Sequence, residues 1–354
     1  MSKIESVRVA TVQATPVIFD REATVNKTID LIGQAGALGA KIILFPEAFI
    51  SGYPKGMYLG VRVGMRTHEG RKDFRRYYES AIMLPGPETE RIGKAVAKIG
   101  SYVIIGVIER EEETSTLYCT AAFFGPDGTF IGKHRKIKPT AAERLIWGEG
   151  DGSTLPIFDT PYGRIGAVIC WENYMPLLRA AMYGKGIRIY LAPTFDARDS
   201  WQYSMRHIAM EGRCFVLTCN QYLTKSVYPA DLNCYDELKD MPEVLHRGGS
   251  AIFSPMGEYV AGPSWEKEDI IVADLDLGQI EEARFDFDVA GHYACSHVFR
   301  IIVNEAKQSS FIYHEGGFFY QDGAASFECT AKYGKTVQQP SRKQWLTSTD
   351  DIDC

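Results

Sequence analysis

The amino-acid sequence predicts an α/β fold in which helices cover a sheet. The first observation is the order of elements near the start. Residues 7–12 alternate as a strand, residues 24–38 carry apolar side chains at helical spacing, and residues 41–45 form a second apolar strand. This order is a β-α-β unit. The second observation is a repeat, because the segment 251–259 has the hairpin pattern of residues 122–130. We therefore expect two halves related by an internal pseudo-two-fold.

The other elements of the first half follow the same periodicities. Residues 50–85 are irregular and rich in Gly, Tyr, Arg and His, which predicts an excursion over the surface. A helix is predicted over residues 88–99 and a strand over residues 102–109. The Gly-Pro-Asp-Gly turn at residues 125–128 separates two short strands and predicts a hairpin.

In the second half, an apolar strand ends at Cys170 and is followed by a helix over residues 175–184. A later helix leads into a strand at residues 214–220. Residues 222–246 are polar and irregular, which predicts a second surface excursion. A last core strand is predicted at residues 270–275.

Composition narrows the class of protein. The chain has 354 residues, of which 45% are hydrophobic, and a formal net charge of −6. Acidic and basic residues are mixed without a long basic run, which argues against nucleic acid or an anionic membrane as a partner. The apolar runs are far shorter than a bilayer span, and the first residues lack the apolar segment of a signal peptide. We expect a soluble cytoplasmic protein.

The eight cysteines are too sparse for a disulfide scaffold, and most are expected to be reduced. A zinc site formed by Cys214, Cys219 and Cys234 is an alternative. The chain has no paired C-x-x-C, so core packing of these three residues is favoured and no metal is expected.

Cys170 is set apart by its position at a strand-to-helix turn. Such a turn exposes the sulfur at the edge of a sheet, directs backbone N–H groups towards the atom it attacks, and places it at the positive end of a helix dipole. A free thiol with a pKa of ~8.5 is only ~3% ionised at pH 7, so a nucleophile also needs neighbours that favour the thiolate. Without them, Cys170 is an ordinary buried apolar residue.

Two other segments supply such neighbours. Glu47 lies among apolar residues at the end of the second strand, where burial raises the pKa of a carboxyl and makes it a proton acceptor. The basic segment 132–140 alternates Lys136 with apolar Ile137, so one lysine is expected to point inward. There it lowers the pKa of a thiol and stabilises negative charge on a substrate. The alternative for both segments is a solvated surface position.

These three segments, in this order, resemble the three motifs of the nitrilase superfamily. The longer segments 143–153, 184–187 and 285–293 resemble the true nitrilases of plants and bacteria. The resemblance covers about residues 5–305. It implies one nitrilase domain over residues 1–305, followed by a tail, residues 306–354, that makes oligomer contacts or is partly disordered.

The resemblance also implies a role for each site residue. Cys170 is the nucleophile, Glu47 the general base, and Lys136 the cation that stabilises the tetrahedral intermediate. Glu143 matches a second glutamate that positions substrate or water. The implied fold is a four-layer α-β-β-α sandwich with an internal two-fold, and no cofactor is needed. Dimers that assemble into spirals or filaments are expected, with extra contacts from the two excursions and the tail.

The implied reaction is hydrolysis of an organic nitrile to the carboxylic acid and ammonia. It proceeds through a thioimidate and a thioester on the cysteine, with amide as a by-product when the thiolate is expelled early. Tyr53, Trp171 and Phe195 are candidates for lining the substrate pocket, although core packing explains most aromatic residues equally well. Aryl, arylaliphatic and aliphatic nitriles, including 3-cyanoalanine, all remain open.

Three other functions are alternatives. An amidase or carbamoylase of the same superfamily uses the same Glu47, Lys136 and Cys170 on a C–N bond. A cyanide hydratase or dihydratase acts on the smallest nitrile. A catalytically idle scaffold that uses the sandwich as an assembly surface is expected to have lost one of the three residues, and all three are present.

Overall fold

The computed structural model describes residues 5–308 of the chain. The elements of the first half are β1 (Ser6–Gln13), α1 (Arg21–Ala37), β2 (Ile42–Leu44), α2 (His68–Ser80), α3 (Pro87–Ile99), β3 (Tyr102–Arg110), β4 (Leu117–Phe124) and β5 (Phe130–Arg135). Those of the second half are β6 (Phe158–Thr160), β7 (Gly163–Ala167), α4 (Pro176–Gly184), β8 (Ile189–Pro193), α5 (Asp199–Gly212), β9 (Phe215–Cys219), β10 (Tyr222–Thr224), β11 (Val244–Phe253), β12 (Tyr259–Trp265), β13 (Asp269–Asp276) and α6 (Gly278–Arg284).

The strands form two sheets with the same internal pattern. One has the order β13-β1-β2-β3-β4-β5, and the other has the order β10-β11-β9-β8-β7-β6, with β12 paired to β11. In the first sheet β1, β2 and β3 are parallel and β4 is antiparallel to β3. In the second sheet β7, β8 and β9 are parallel and β11 is antiparallel to β9. This correspondence is the internal two-fold that the repeated hairpin predicts.

The burial pattern shows why the sheets stack face to face. Along β8, Ile189 and Leu191 belong to one buried apolar cluster, whereas the intervening Tyr190 and Ala192 belong to another. Side chains alternate across a strand, so a strand that is apolar on both faces must be covered on both faces. The first cluster joins side chains of both sheets, while separate clusters join each sheet to its own helices. The layers are therefore helix, sheet, sheet and helix, as expected.

The structure corrects the prediction that residues 50–85 are irregular, because α2 lies within them. Its buried residues are Gly70, Asp73, Tyr77 and Ser80, which follow helical spacing. Three of the four are small or polar, and for that reason hydrophobic periodicity did not reveal the helix.

The two excursions pack against each other, which the prediction of surface loops missed. The Glu237 carboxylate accepts hydrogen bonds from the backbone N–H groups of Tyr58, Leu59 and Gly60 at 2.7, 3.1 and 2.8 Å. The Asp73 carboxylate of α2 accepts from the backbone N–H groups of residues 233 and 234 at 3.1 and 2.7 Å. These carboxylates fasten a segment of the first half to a segment of the second.

Within residues 5–308, no helix has the length and apolar character needed to cross a membrane. The predicted tail lies outside the described residues from position 309 onwards.

Candidate active site

The three residues selected from the sequence each follow the carboxyl end of a strand. Glu47 follows β2, Lys136 follows β5 and Cys170 follows β7. Glu47 approaches β3 closely at Gly106, where a Cβ atom would lie 2.7 Å from the Glu47 Cα. Only glycine fits there without displacing the Glu47 backbone. The amide of Gln221 donates to the Glu47 carbonyl at 2.8 Å, so the second half of the chain also holds this turn.

Lys136 joins two carboxylates. Its Nζ donates to Glu47 Oε1 at 2.6 Å and to Glu143 Oε2 at 2.8 Å. Lys136 and Glu47 are both fully buried, which confirms that one lysine of the basic segment points inward. The hydroxyl of Tyr53 donates to Glu143 Oε1 at 2.6 Å, and the backbone N–H of Thr140 donates to Glu143 Oε2 at 2.6 Å. Both oxygens of Glu143 are therefore fixed.

Cys170 lies in a strained turn. Its φ is +50°, a conformation in which few residues other than glycine are found and which is common at functional sites. The residues Cys170–Tyr174 form a 3₁₀ turn, and α4 begins only at Pro176. The expectation that Cys170 lies at the N-terminus of an α-helix is therefore wrong, because this turn intervenes. The sulfur is buried and accepts a hydrogen bond from the Thr194 hydroxyl at 3.2 Å.

Glu172 connects the Cys170 turn to the Lys136 segment. Its Oε2 accepts from the backbone N–H of Ile169 at 2.9 Å and lies 3.0 Å from Nε2 of His134. Its Oε1 accepts from the backbone N–H of Ile137 at 2.5 Å. His134 and Glu172 are both buried. Burial lowers the pKa of His134, but Glu172 outweighs this, so the pKa lies above its ordinary value.

The sequence patterns gave neither His134 nor Glu172 a role in the site. Each lies close in sequence to a residue that was recognised: His134 lies two positions before Lys136, and Glu172 lies two positions after Cys170. The position of Glu172 after the nucleophile was a signal in the sequence. Its partners, His134 and Ile137, lie more than thirty positions earlier, so only the structure shows that it is buried against them.

The electrostatics of the site favour a neutral thiol and a strong base. Burial raises the pKa of Glu47; Lys136 opposes this, and the net direction is upward as the sequence predicts. Burial also raises the pKa of Cys170, and the Glu47 carboxyl raises it further, whereas Lys136 lowers it. The expectation of a depressed thiol pKa is therefore wrong, since burial and Glu47 outweigh the lysine. Cys170 is protonated in the resting site and must give up its proton as it attacks.

The pKa of Lys136 lies well above its ordinary value. Burial acts to lower it, but Glu47, Cys170 and Glu143 all act to raise it. Lys136 is therefore a permanent cation. Glu47 Oε2 has no hydrogen-bond partner within residues 5–308, and the Cys170 thiol is close enough to affect the pKa of this carboxyl. Oε2 is thus free to accept the thiol proton.

A cavity of about 640 Å³ opens onto Cys170 and Glu143. The three aromatic candidates, Tyr53, Trp171 and Phe195, all line it. The rings of Tyr53 and Phe195 stack with centroids 4.0 Å apart and planes 6° apart. The structure therefore brings every sequence-selected site residue to one place. No group of three or more His, Cys, Asp or Glu side chains within residues 5–308 is arranged to hold a metal ion.

Comparison with known proteins gives the family. Residues 8–285 match the family model of the carbon-nitrogen hydrolases. The chain is 55% identical over 306 residues to an aliphatic nitrilase of Sinorhizobium fredii, which covers 86% of this chain and 98% of that protein. It is 52% identical over 307 residues to the bifunctional nitrilase/nitrile hydratase NIT4B of Nicotiana tabacum, which covers 86% of this chain and 88% of that protein.

The fold has solved counterparts. Nit3 of Saccharomyces cerevisiae, a member of branch 10 of the nitrilase superfamily, superposes with a TM-score of 0.63 at 24% identity, over 82% of this chain and 97% of that one. The match to the family model spans most of the described residues, and the curated relatives are matched over nearly their whole length. The chain therefore belongs to the carbon-nitrogen hydrolase family, the nitrilase superfamily.

Proposed function

We propose that the protein hydrolyses an organic nitrile to the carboxylic acid and ammonia, with Cys170 as the nucleophile. The observation that supports this most is the Glu47 carboxylate, which is buried, held by Lys136 through Oε1 and unpartnered at Oε2 near the thiol. Relatives that this chain matches over nearly their whole length are described as nitrilases. Several of these relatives are 50–55% identical in sequence to this chain.

The first step joins sulfur to the nitrile carbon. Glu47 accepts the Cys170 proton as the S–C bond forms, and the proton passes to the nitrile nitrogen to give a neutral thioimidate. Lys136 donates a hydrogen bond to the negative charge that develops on that nitrogen. The pKa of the thiol is raised, so proton removal and attack occur together and do not require a standing thiolate.

The second step adds water to the thioimidate. Glu47 takes a proton from the water, and Glu143, held by Tyr53 and Lys136, orients it. The tetrahedral species releases ammonia and leaves a thioester. A second water then cleaves the C–S bond, which gives the acid and returns the proton to Cys170.

The amide is a by-product of the same tetrahedral species. If the C–S bond breaks before the C–N bond, the thiolate leaves and the amide is released. The relative from Nicotiana tabacum is described as both a nitrilase and a nitrile hydratase. We therefore expect a minor amide fraction.

The protein is also proposed to form homo-oligomers, as dimers that assemble into spirals or filaments. Large apolar side chains are exposed on the helices, with Leu177 at 71% and Tyr203 at 70%. The Tyr174 hydroxyl, just before α4, lies 3.2 Å from Ser204 on α5, so the exposed apolar residues of the two helices are neighbours. A contiguous apolar surface is typical of surfaces that bind another protein chain. Light scattering and electron microscopy of the purified protein test this, and a monomer that stays fully active would contradict it.

Product analysis tests the reaction. The purified protein is incubated separately with phenylpropionitrile, phenylacetonitrile, 3-cyanoalanine, cyanide and a matched amide, and ammonia, acid and amide are measured separately. Acid and ammonia from an organic nitrile, with little turnover of the amide, are expected. Turnover of the amide alone would assign the protein to the amidases.

The nucleophile is tested with a matched pair of variants. Cys170→Ala should abolish ammonia release, whereas Cys214→Ala, which removes an equally buried thiol among the helices of the second half, should retain it. Acid quenching followed by peptide mass spectrometry should place the substrate adduct on the peptide that contains Cys170. Ammonia release by Cys170→Ala at the wild-type rate would exclude this residue as the nucleophile.

A further inference from the structure

The substrate cavity contains a cation that the reaction does not use. Lys55 lines the same cavity as Cys170 and is half-buried. Its Nζ forms no hydrogen bond or ion pair with any residue between 5 and 308, and lies 6.0 Å from the centroid of the Phe195 ring. An ammonium withdrawn from water without a counter-ion is unfavourable, so this position favours an anionic occupant.

The other charged groups of the cavity are neutralised or solvated. Arg198 pairs with Asp196 at 2.5 Å, and Arg247 pairs with Asp199 at 2.6 Å. Glu266 is exposed at the surface. Lys55 is therefore the one half-buried cation lining the cavity that lacks a partner within the described residues.

His246 is a second polar group beside Lys55. It is 4% exposed, lines the cavity and packs on Phe195 with ring centroids 4.2 Å apart. Its Nδ1 lies 2.7 Å from the Gln221 carbonyl, which assigns the proton to Nδ1 because a carbonyl oxygen only accepts, while Nε2 has no hydrogen-bond partner within residues 5–308. Burial lowers the pKa of His246 to about 4, and Lys55 acts in the same direction, so the imidazole is neutral. In this tautomer Nε2 is an acceptor, so His246 lines this end of the cavity with a neutral ring and leaves Lys55 as the donor to an anion.

The reacting end has the opposite character. Glu47 and Glu143 surround the single ammonium of Lys136, so two carboxylates face one cation. Repulsion keeps an anionic group away from this end, whereas Lys55 attracts it to the other. Between the ends lie the stacked rings of Tyr53 and Phe195, which suit an apolar linker. A molecule with a negative charge at one end is thereby oriented with its other end at Cys170.

We propose that Lys55 forms a subsite that binds a carboxylate at the far end of the nitrile substrate, with the neutral His246 ring as one of its walls. One free ammonium matches the single negative charge of a carboxylate. This inference rests on the proposed nitrile hydrolysis and specifies its substrate class, namely nitriles with a terminal carboxylate. The carboxylate accepts hydrogen bonds from Lys55 Nζ and presents the nitrile carbon to the Cys170 sulfur.

The test compares two nitriles of nearly the same shape. In 3-cyanopropanoate the far end is a carboxylate, and in 4-methylpentanenitrile it is an isopropyl group. The measured quantity is kcat/KM for 3-cyanopropanoate divided by kcat/KM for 4-methylpentanenitrile. Lys55→Met should lower this ratio about tenfold or more, as expected for loss of a charge-assisted hydrogen bond. Lys94→Met, which changes an exposed lysine on α3, should leave the ratio at the wild-type value.

Charge reversal gives a gain that misfolding cannot mimic. Lys55→Glu should favour a cationic nitrile, so that kcat/KM rises for the substrate 4-aminobutanenitrile relative to 3-cyanopropanoate. Binding is measured apart from turnover in a Cys170→Ala background, where Lys55→Met should weaken the Kd for 3-cyanopropanoate about tenfold. A ratio that falls less than threefold in Lys55→Met would overturn the subsite. Acid from phenylpropionitrile but not from 3-cyanopropanoate with the wild-type enzyme would also overturn the subsite, whereas absence of acid from all of these nitriles would overturn the proposed hydrolysis.

Discussion

Glu172→Ala should be among the most destabilising single changes in the chain. The Glu172 carboxylate accepts from two backbone N–H groups and faces His134, all within 2.5–3.0 Å, at a buried position. A hydrogen bond to a charged group contributes roughly 1.5–3 kcal/mol, and a buried donor left without a partner costs about 1–3 kcal/mol. Three such losses are not additive, so we expect a decrease of about 4 kcal/mol in the free energy of unfolding.

The assay is equilibrium unfolding in urea at pH 7, followed by circular dichroism, together with the initial rate of ammonia release. Glu79→Ala is the control, because it removes an exposed ion pair with Arg75 and should cost at most about 0.5 kcal/mol. Activity should fall as well as stability in Glu172→Ala, since the carboxylate holds the Cys170 turn against the Lys136 segment. A loss of stability below about 1.5 kcal/mol would refute the account of Glu172 as the link between them.

Four further predictions concern the site and its walls. Tyr53→Phe removes the donor to Glu143 and should lower kcat about tenfold in steady-state assays, with little change in stability. In a pH–rate profile, kcat/KM should fall as pH drops through the raised pKa of Glu47, above its ordinary value of 4.5, because a protonated Glu47 cannot accept the thiol proton. The raised pKa of His134 means that its pairing with Glu172 stabilises the fold fully below about pH 6.5 and less as pH rises through the folded-state pKa. The unfolding difference between wild type and His134→Gln should therefore shrink from pH 6 to pH 9. Glu237→Gln should speed cleavage of the 54–66 segment by thermolysin, because three backbone N–H groups lose their charged acceptor; an unchanged cleavage rate would contradict this.

The sequence was informative where local pattern and burial agree. Short apolar runs at residues 42–45 and 165–169 mark the parallel strands β2 and β7, and Glu47 and Cys170 each lie three positions after the end of their strand, so both the strands and these residues could be predicted. Lys136 could be predicted to point inward because apolar residues alternate with the lysines around it. These inferences depend only on the neighbouring residues.

What the sequence did not reveal depends on contacts between distant segments. The direction of the Cys170 pKa follows from full burial and from Glu47, which lies more than a hundred positions away in the chain. Helix α2 has a charged sequence and buries Asp73, whose partners belong to the other half. Lys55 and His246 meet only because two excursions close over the same cavity.

Glu237 and Asp73 fasten the two excursions to each other. As a result, the residues proposed to select the substrate can be changed separately from those proposed to react. Glu47, Lys136 and Cys170 follow strand ends inside the sandwich, whereas Lys55 and His246 lie on the two segments that these carboxylates join. Replacing the joined segments as a unit therefore alters which molecules enter without disturbing the atoms that react. For a protein engineer, residues 54–80 and 222–247 form one unit to exchange with Tyr53 kept, because exchanging either segment alone breaks the carboxylate ties that hold its partner.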